Sequence, residues 1–439
     1  MKILYPLAKR FIAGYDFTTA QDSIDKLISS GYHVTIDYVG EMSTTHTDVH
    51  KAFNEYKGEV VNERTGRPIS SAYLSLNNSN ISTITNADGV FSLKVPEDMT
   101  EATVTISVLG FQSKTLPLDY FKPEDTRIEL SETMEELTEV SLYKATNPRL
   151  LVQDMLDKKD ENYLSDQSIM TSFYRETIKK GWSNVSLSEA VVKIHKTSYK
   201  DSKKDLVSLY KARKSTDYDK LDTLALKLRG GPFNTLYLDM MKYTEYVLRQ
   251  GMMDSYDFSF GEPAKINDRY TYVVNFRERD ESDPWYYGKL FIDAETSTLV
   301  KADYNLNVDN RNAAQEMFVK KKPNGAKVYP TALNYQVDYA QNNGKWHFAY
   351  GKAQMDYVVN WKRKIFNSKY KINSEMVVTD WQPYSEEEFK MNQELIRPNI
   401  VMVDDVSGFY DSQFWGNNNI IEPEKSIQNA IDKIKRKMD

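Results

Sequence analysis

Few residues in this chain stand at spacings that could do chemistry. Ser141-Leu-Tyr-Lys144 and Ser208-Leu-Tyr-Lys211 each put a serine and a lysine three residues apart, the arrangement in which an amine can activate a hydroxyl for acyl transfer. The companion Ser-Asp-Asn and Lys-Thr-Gly triplets are absent, and both tetrapeptides read as ordinary polar stretches. His46 and His50 stand at i,i+4, which sets two imidazoles on one helix face for zinc, but Thr47 occupies the place of the glutamate that the metalloprotease pattern needs. They read as surface histidines, and His33, His195 and His347 as solitary structural ones. Glu176 and Glu189 fall on candidate neighbouring strands and could form the carboxylate pair of a glycoside hydrolase. The basic run Lys193, Lys196, Lys200, Lys203, Lys204, Lys211, Arg213 and Lys214, with Tyr199 and Tyr210 interleaved, has the make-up of a nucleic-acid surface. Asp201 and Asp205 interrupt it and the whole chain carries a net charge of −6, so a solvated strand face is the simpler reading. With no cysteine, disulfides, Cys-ligated zinc, iron–sulfur clusters and thiol nucleophiles are excluded. No cofactor, metal or catalytic residue is assigned. Trp285, Tyr286, Tyr287 and Trp346 remain as candidate ligand-contacting aromatics, suited to sugars, peptides or lipid tails.

The elements that must position these residues are mostly strands. The chain has 439 residues, enough for several domains and a sizeable core. Thirty tyrosines and a 12% aromatic content favour β structure. No run reaches 18 apolar residues, so no transmembrane helix is expected. Pro6, Lys9 and Arg10 break the N-terminal apolar run, so no signal peptide is expected, and the sequence taken literally stays in the cytoplasm.

Five segments follow. Residues 1–56 read as an α/β piece: a helix with Ala20, Ile24, Leu27 and Ile28 on one face, a strand from Tyr32 to Val39, and a second helix through Val49, Ala52, Phe53 and Tyr56. Residues 57–131 read as a small β-sandwich of six or seven short strands, with Val60, Leu74, Leu76, Phe91, Leu93, Val104 and Ile106 in its core. Asn86-Ala-Asp88-Gly89 reads as a tight hairpin there, with Asp88 a turn residue and not a metal ligand. Residues 132–147 form an acidic linker. Residues 148–422 begin with a helix opened by Pro148 and continue as a large antiparallel meander. Alternation puts Leu290 and Ile292 on one face and Lys289 and Phe291 on the other. Phe233 to Arg249 reads as a helix covering that sheet through Leu236, Met240, Tyr243 and Val247. Residues 423–439 read as an amphipathic helix with Ile427, Ala430, Ile431 and Ile434 on its apolar side.

Several stretches resemble known families. Arg10-Phe-Ile-Ala-Gly14, Val34-Thr-Ile-Asp-Tyr-Val-Gly-Glu41 and Val49-His-Lys-Ala-Phe-Asn-Glu-Tyr56 resemble the N-terminal part of bacterial proline dehydrogenase, with Tyr15 departing from the acidic residue expected there. That resemblance implies a flavin-binding barrel, in which Asp37 and Glu41 match the motif, but one βα unit cannot close a barrel. The segment is read as a fragment or remnant without flavin or proline oxidation. Gly58-x-Val-x-x-x-x-Thr-Gly-x-Pro-Ile69, Thr85-Asn-Ala-Asp-Gly-Val-Phe-Ser92 and Ser107-Val-Leu-Gly-Phe111 resemble the carboxypeptidase regulatory-like domain, which implies a transthyretin-like sandwich with a structural or recognition role. Tyr287-Gly-Lys-Leu-Phe-Ile-Asp293 with Val300-Lys-Ala-Asp-Tyr304 resembles the hairpin of lipoprotein-carrier proteins, which implies a curved half-barrel for apolar ligands. Leu187-Ser-Glu-Ala-Val-Val192, Leu228-Arg-Gly-Gly-Pro232, Trp361-Lys-Arg-Lys-Ile-Phe-Asn-Ser368 and Phe414-Trp-Gly-Asn-Asn-Asn-Ile-Ile-Glu-Pro423 resemble bacterial envelope proteins that carry the regulatory-like domain in front. This implies a place in the periplasm or at the outer membrane. The sequence is therefore read as a mainly β, non-enzymatic envelope protein for binding or scaffolding. A glycan, lipid, peptide or protein partner is expected, and no nucleic acid. The rival readings are a hydrolase with carboxylates in the large domain and a flavin-dependent relative of proline dehydrogenase.

Overall fold

The computed structural model describes residues 53–133, 145–216, 230–247, 250–280, 285–318, 325–362, 366–387, 395–402, 414–429 and 431. Residues 1–52 of the segment resembling proline dehydrogenase, including His46 and His50, and the Ser141–Lys144 tetrapeptide lie outside the described residues.

The small domain is a sandwich of two sheets. One has the order β4 (Val90–Pro96), β1 (Phe53–Asn62), β7 (Thr126–Leu130), and the other β3 (Ser82–Ile84), β2 (Tyr73–Leu76), β5 (Thr103–Ser107), β6 (Lys114–Pro117). The seven core residues expected from alternation are all buried to 1% or less, because period-2 strands aim every second side chain at the facing sheet. Two local readings change. Phe53 and Tyr56 were expected in a helix but begin β1, where Tyr56 pairs with Leu93 and sets its ring edge-on to Phe121. The Asn86–Gly89 turn is tight, but β3 and β4 on its two sides lie in opposite sheets, so it is a crossover between sheets and not a hairpin. Asn86 Oδ1 accepts from the amides of Asp88 and Val90, and Gly89 takes φ +74°, where a Cβ would meet the Val60 carbonyl oxygen at 2.7 Å.

The large domain is one open sheet of twelve strands. Its path is β11 (Tyr256–Phe260), β13 (Arg269–Glu278), β14 (Tyr286–Asp293), β15 (Leu299–Leu306), β16 (Ala326–Asn342), β17 (Lys345–Trp361), β18 (Ser368–Pro383), β8 (Ser168–Lys180), β9 (Ser183–Lys196), β10 (Leu206–Thr216) and β19 (Leu395–Ile396). The twelfth strand, β12 (Ala264–Ile266), pairs with β13 off this path. Strands β13 to β18 form the expected meander, and the earlier strands β8 to β10 add on beyond β18.

One face is apolar. Val274, Leu290, Ala302 and Val337 stand in register across it and are buried. Residues 230–247 pack against this face. The sequence predicts a helix from Phe233 to Arg249; among the described residues helix forms only over Phe233–Leu236, and turns and bends follow to residue 247. Asp239 stops it: its carboxylate accepts from the Lys242 backbone amide and from three side chains of other elements, which a continuing helix could not satisfy. Leu236, Met240, Tyr243 and Val247 are nonetheless all buried against the sheet. Gly351 on β17 allows the close approach, since a Cβ there would lie 3.0 Å from the Thr235 carbonyl oxygen. The Pro148–Asp157 helix is capped by Asn147, which accepts from the Arg149 and Leu150 amides, and it buries Leu151, Val152 and Met155. Near the C-terminus, residues 425–429 are helical, and Ile427 and Ile431 cluster with Leu187. Asp88 Oδ2 accepts from the Lys425 amide at the start of that turn.

Candidate functional site

The second face of the large sheet is polar over half its width. Strand register lines its side chains into rows that run across the strands. One row is Asn275, Lys289, Asp303, Gln336, Lys352, Glu375, Arg175, Glu189 and Arg213, each paired with the next on the neighbouring strand. A second row is Tyr287, Asn305, Asn334, Gln354 and Asn373. Adjacent strands are about 4.8 Å apart, so each row is a ladder of side chains at that spacing.

From β13 to β17 these rows lie in an open groove of about 1070 Å³. Tyr287 is 40% exposed at one end of it. The side chains of Asn275, Asn305, Asn334 and Gln354 line this groove, Asn334 exposed and the others half-buried, and make no hydrogen bond to another described residue. A smaller cavity of about 280 Å³ adjoins the groove where the sandwich meets the sheet, and Asp303 and Gln336 line both. There the Lys301 ammonium sits 2.7 Å from Asp338 and 3.1 Å from Asp303, and burial pushes the Asp303 carboxyl up despite that cation.

From β18 to β10 the same face is covered. The sandwich and residues 414–422 pack on it, with Ile84, Trp415, Ile420 and Ile421 meeting Phe173, Val191, Tyr350 and Val377. Ser82 donates to the Val378 carbonyl, and Asn419 exchanges two hydrogen bonds with the Lys94 backbone. Under this cover the first row becomes an ion cluster. Glu189 accepts from Arg175 Nε at 2.8 Å and from Arg213 Nε at 2.6 Å, all three groups being buried. Burial alone would raise the Glu189 carboxyl, but the two guanidiniums outweigh it and hold it below the usual range. Arg175 also donates to the carbonyls of Ile421 and Glu422, which ties the C-terminal segment to the sheet. Arg213 lies 4.9 Å over the Trp415 ring.

The apolar face contains a second buried network. Lys196 Nζ lies 2.9 Å from Asp205 and 2.6 Å from Asp239, and Tyr199 and Tyr339 donate to Asp239 while Tyr243 donates to Asp205. Burial opposes charge on Lys196, yet the two aspartates hold its ammonium above its ordinary value. Glu176, also on this face, has no cation beside it. Burial pushes its carboxyl up to about 7, offset in part by the Tyr174 hydroxyl that donates to it at 2.9 Å.

The residues singled out in the sequence are scattered by this arrangement. Of the four aromatics, Tyr287 alone lines the groove. Tyr286 is half-buried against Tyr304 and Tyr335, and Trp285 is half-buried beside Tyr256. Trp346 is 2% exposed with Arg269 over its ring. Glu176 and Glu189 do lie on neighbouring strands, but Glu189 pairs with Arg175 and Glu176 with Ser188. They therefore project from opposite faces and cannot flank one glycosidic bond. Ser208 donates to the Lys193 carbonyl and Lys211 to the Phe414 carbonyl, so each has its own structural partner. The basic run is divided between solvent and the buried clusters, with Lys196 and Arg213 inside. His195 stacks on Tyr384, and His347 is buried, which pushes its imidazole down to about 4. Among the described residues, no group of three or more His, Asp or Glu could hold a metal ion, and no helix is long and apolar enough to cross a membrane. The sequence reading missed Asn275, Asn305, Asn334 and Gln354. Their alternate placement along strands marks them as one-faced, but only the pairing register assembles them.

Comparison with known proteins gives one family match: residues 56–142 match the CarboxypepD_reg-like domain. No curated protein matches the chain. The match starts at residue 56, so these comparisons lend no support to the proline dehydrogenase resemblance of residues 1–56. Among solved structures, a putative outer membrane lipoprotein-sorting protein domain from Vibrio parahaemolyticus is 11% identical over 56% of this chain and 97% of its own, at TM-score 0.24. A LolA superfamily protein from Nitrosomonas europaea is 12% identical over 54% and 96%, at TM-score 0.22. The Pseudomonas aeruginosa MucA/MucB complex contributes a chain 11% identical over 54% and 99%, at TM-score 0.17. With TM-scores this low, none of these likenesses says what this chain binds.

Proposed function

We propose that this chain is a non-catalytic binding protein of the bacterial envelope, with the open half of the polar sheet face as its ligand surface. The observation that carries the reading is the row from Asn275 to Arg213. One end is locked into an ion cluster beneath the sandwich, and the other lies in a groove of about 1070 Å³ among amides without internal partners. In the covered half the charged groups Glu189, Arg175 and Arg213 satisfy one another, as buried charges must, while the groove side chains are left to solvent or a ligand. The sandwich serves as a rigid buttress: its hydrogen bonds to Val378 and to the segment 414–422 fix one wall of the ligand surface. The envelope location is part of the proposal, supported by the resemblance of residues 57–439 to envelope proteins that carry a regulatory-like domain.

The test is titration of the full chain with envelope glycans, phospholipid vesicles and peptides, read by calorimetry. Asn334→Arg, which puts a long cation across the groove floor, should abolish the binding found. Binding that survives Asn334→Arg unchanged would place the ligand elsewhere and refute the reading.

A further inference from the structure

We infer that the ligand of this groove is an uncharged, hydroxyl-rich chain: a neutral glycan strand lying across the β-strands along Asn305, Asn334 and Gln354. The inference rests on the binding reading above and names the ligand's chemistry.

The molecule supplies its own comparison. The covered half of the face already holds a peptide, residues 414–422 of the chain itself. It does so through apolar anchors, with Trp415, Ile420 and Ile421 seated among Phe173, Val191, Tyr350 and Val377, and through Arg175 donating to backbone carbonyls. On the open half the anchors' own row continues into Asp338 and Lys301, and the row Tyr287, Asn305, Asn334, Gln354 offers amides. These rows carry no apolar cluster like Phe173, Val191 and Val377, and burial of such a cluster is what holds the chain's own peptide. Side-chain amides both donate and accept, which matches a hydroxyl, itself a donor and an acceptor.

Charge points the same way. Arg277, Lys289 and Lys352 line the groove together with Glu278, Asp303 and Asp309, so three cations are balanced by three carboxylates. That surface has no net charge with which to draw an anionic headgroup or a nucleic acid. Tyr287 adds an exposed ring at the end of the row, a flat apolar platform with a polar tip for the face of a sugar. The ladder repeats about every 4.8 Å, close to the length of one pyranose unit, so successive amides can meet successive sugars.

The experiment is isothermal titration of the full chain with cellohexaose, chitohexaose and mannohexaose. A neutral decapeptide and phosphatidylglycerol vesicles serve as the other arms. At least one hexasaccharide should bind, with little dependence on salt. Asn334→Leu/Gln354→Leu should weaken it about thirtyfold, since two hydrogen bonds near 1 kcal/mol each are removed. Tyr287→Ala, at an exposed position that leaves the strand intact, should weaken it several-fold on its own. If the decapeptide or the vesicles bind in a way the double variant abolishes and no hexasaccharide binds, the glycan inference is overturned while the groove remains a binding surface. If no arm shows binding sensitive to these variants, both readings fall.

Discussion

Lys196→Met tests whether the buried ionic network fastens residues 230–247 to the sheet. The substitution keeps most of the aliphatic stem and removes the ammonium. Asp205 and Asp239 would then face each other with their cation gone, at 3% and 0% exposure. Breaking a buried pair by deleting one partner costs about 3–5 kcal/mol, mostly because an uncompensated charge stays behind. Two carboxylates share Lys196, so the upper end of that range is expected. For a cooperative unit of this size the unfolding entropy turns the loss into a fall in Tm of about 4–6 °C. Scanning calorimetry of the full chain at pH 7 reads it, with tyrosine fluorescence as a second probe. The companion variant Lys196→Met/Asp205→Asn/Asp239→Asn removes all the charge but leaves oxygens for Tyr199, Tyr243 and Tyr339 to donate to. It should recover at least half of the loss. The ammonium is held above its ordinary value, so the network's contribution is present below about pH 10 and disappears as pH rises through the folded value. A Tm change below about 1 °C for Lys196→Met, or a triple variant less stable than the single one, would refute the reasoning.

Glu176→Gln should raise stability at pH 8 by up to about 3 kcal/mol and change little at pH 4, as measured by urea unfolding at both values. The folded carboxyl sits at about 7, above its unfolded value, so the wild-type chain loses stability as pH climbs from about 4.5 to 7 and the amide does not. Gly89→Ala should cost more than about 1 kcal/mol, because φ is +74° and the new Cβ would press on the Val60 carbonyl oxygen. An unchanged melting curve for the full chain would contradict that turn geometry. Trp415→Ala should cost about 3–5 kcal/mol by emptying the space between Arg213 and Phe173, and should speed amide exchange in residues 414–422. Exchange that stays as slow as in the wild type would mean that the tail is held without this ring.

What could be read from the sequence, and what could not, divides by the distance over which each signal acts. The sandwich core was legible because alternation and turn chemistry act over a few residues, and Val60, Phe91, Val104 and their neighbours follow them. The same alternation gave Leu290 and Lys289 their opposite faces. Helical spacing from Phe233 to Arg249 correctly marked four buried residues, yet the helix ends at Leu236, because Asp239 answers to Lys196, Tyr199 and Tyr339 on other elements. The candidate site was harder still. Glu375 meets Arg175 only because β18 pairs with β8, a junction of strands some two hundred residues apart that no local pattern specifies. Even with every register known, Asn334 and Val377 would count alike as side chains of one sheet face. What separates a ligand surface from a core there is the cover, and the cover is the sandwich together with residues 414–422. Phe414-Trp-Gly-Asn-Asn-Asn-Ile-Ile-Glu-Pro423 stood in the sequence as a marker of resemblance, while its physical role is to fill the apolar half of the face with the chain's own peptide. Among the described residues the tail's apolar contacts on this face are those of Phe414, Trp415, Ile420 and Ile421. Site and tail therefore use neighbouring rows of one sheet face: Tyr350, Val377, Phe173 and Val191 take the tail, and Asn305, Asn334 and Gln354 line the groove.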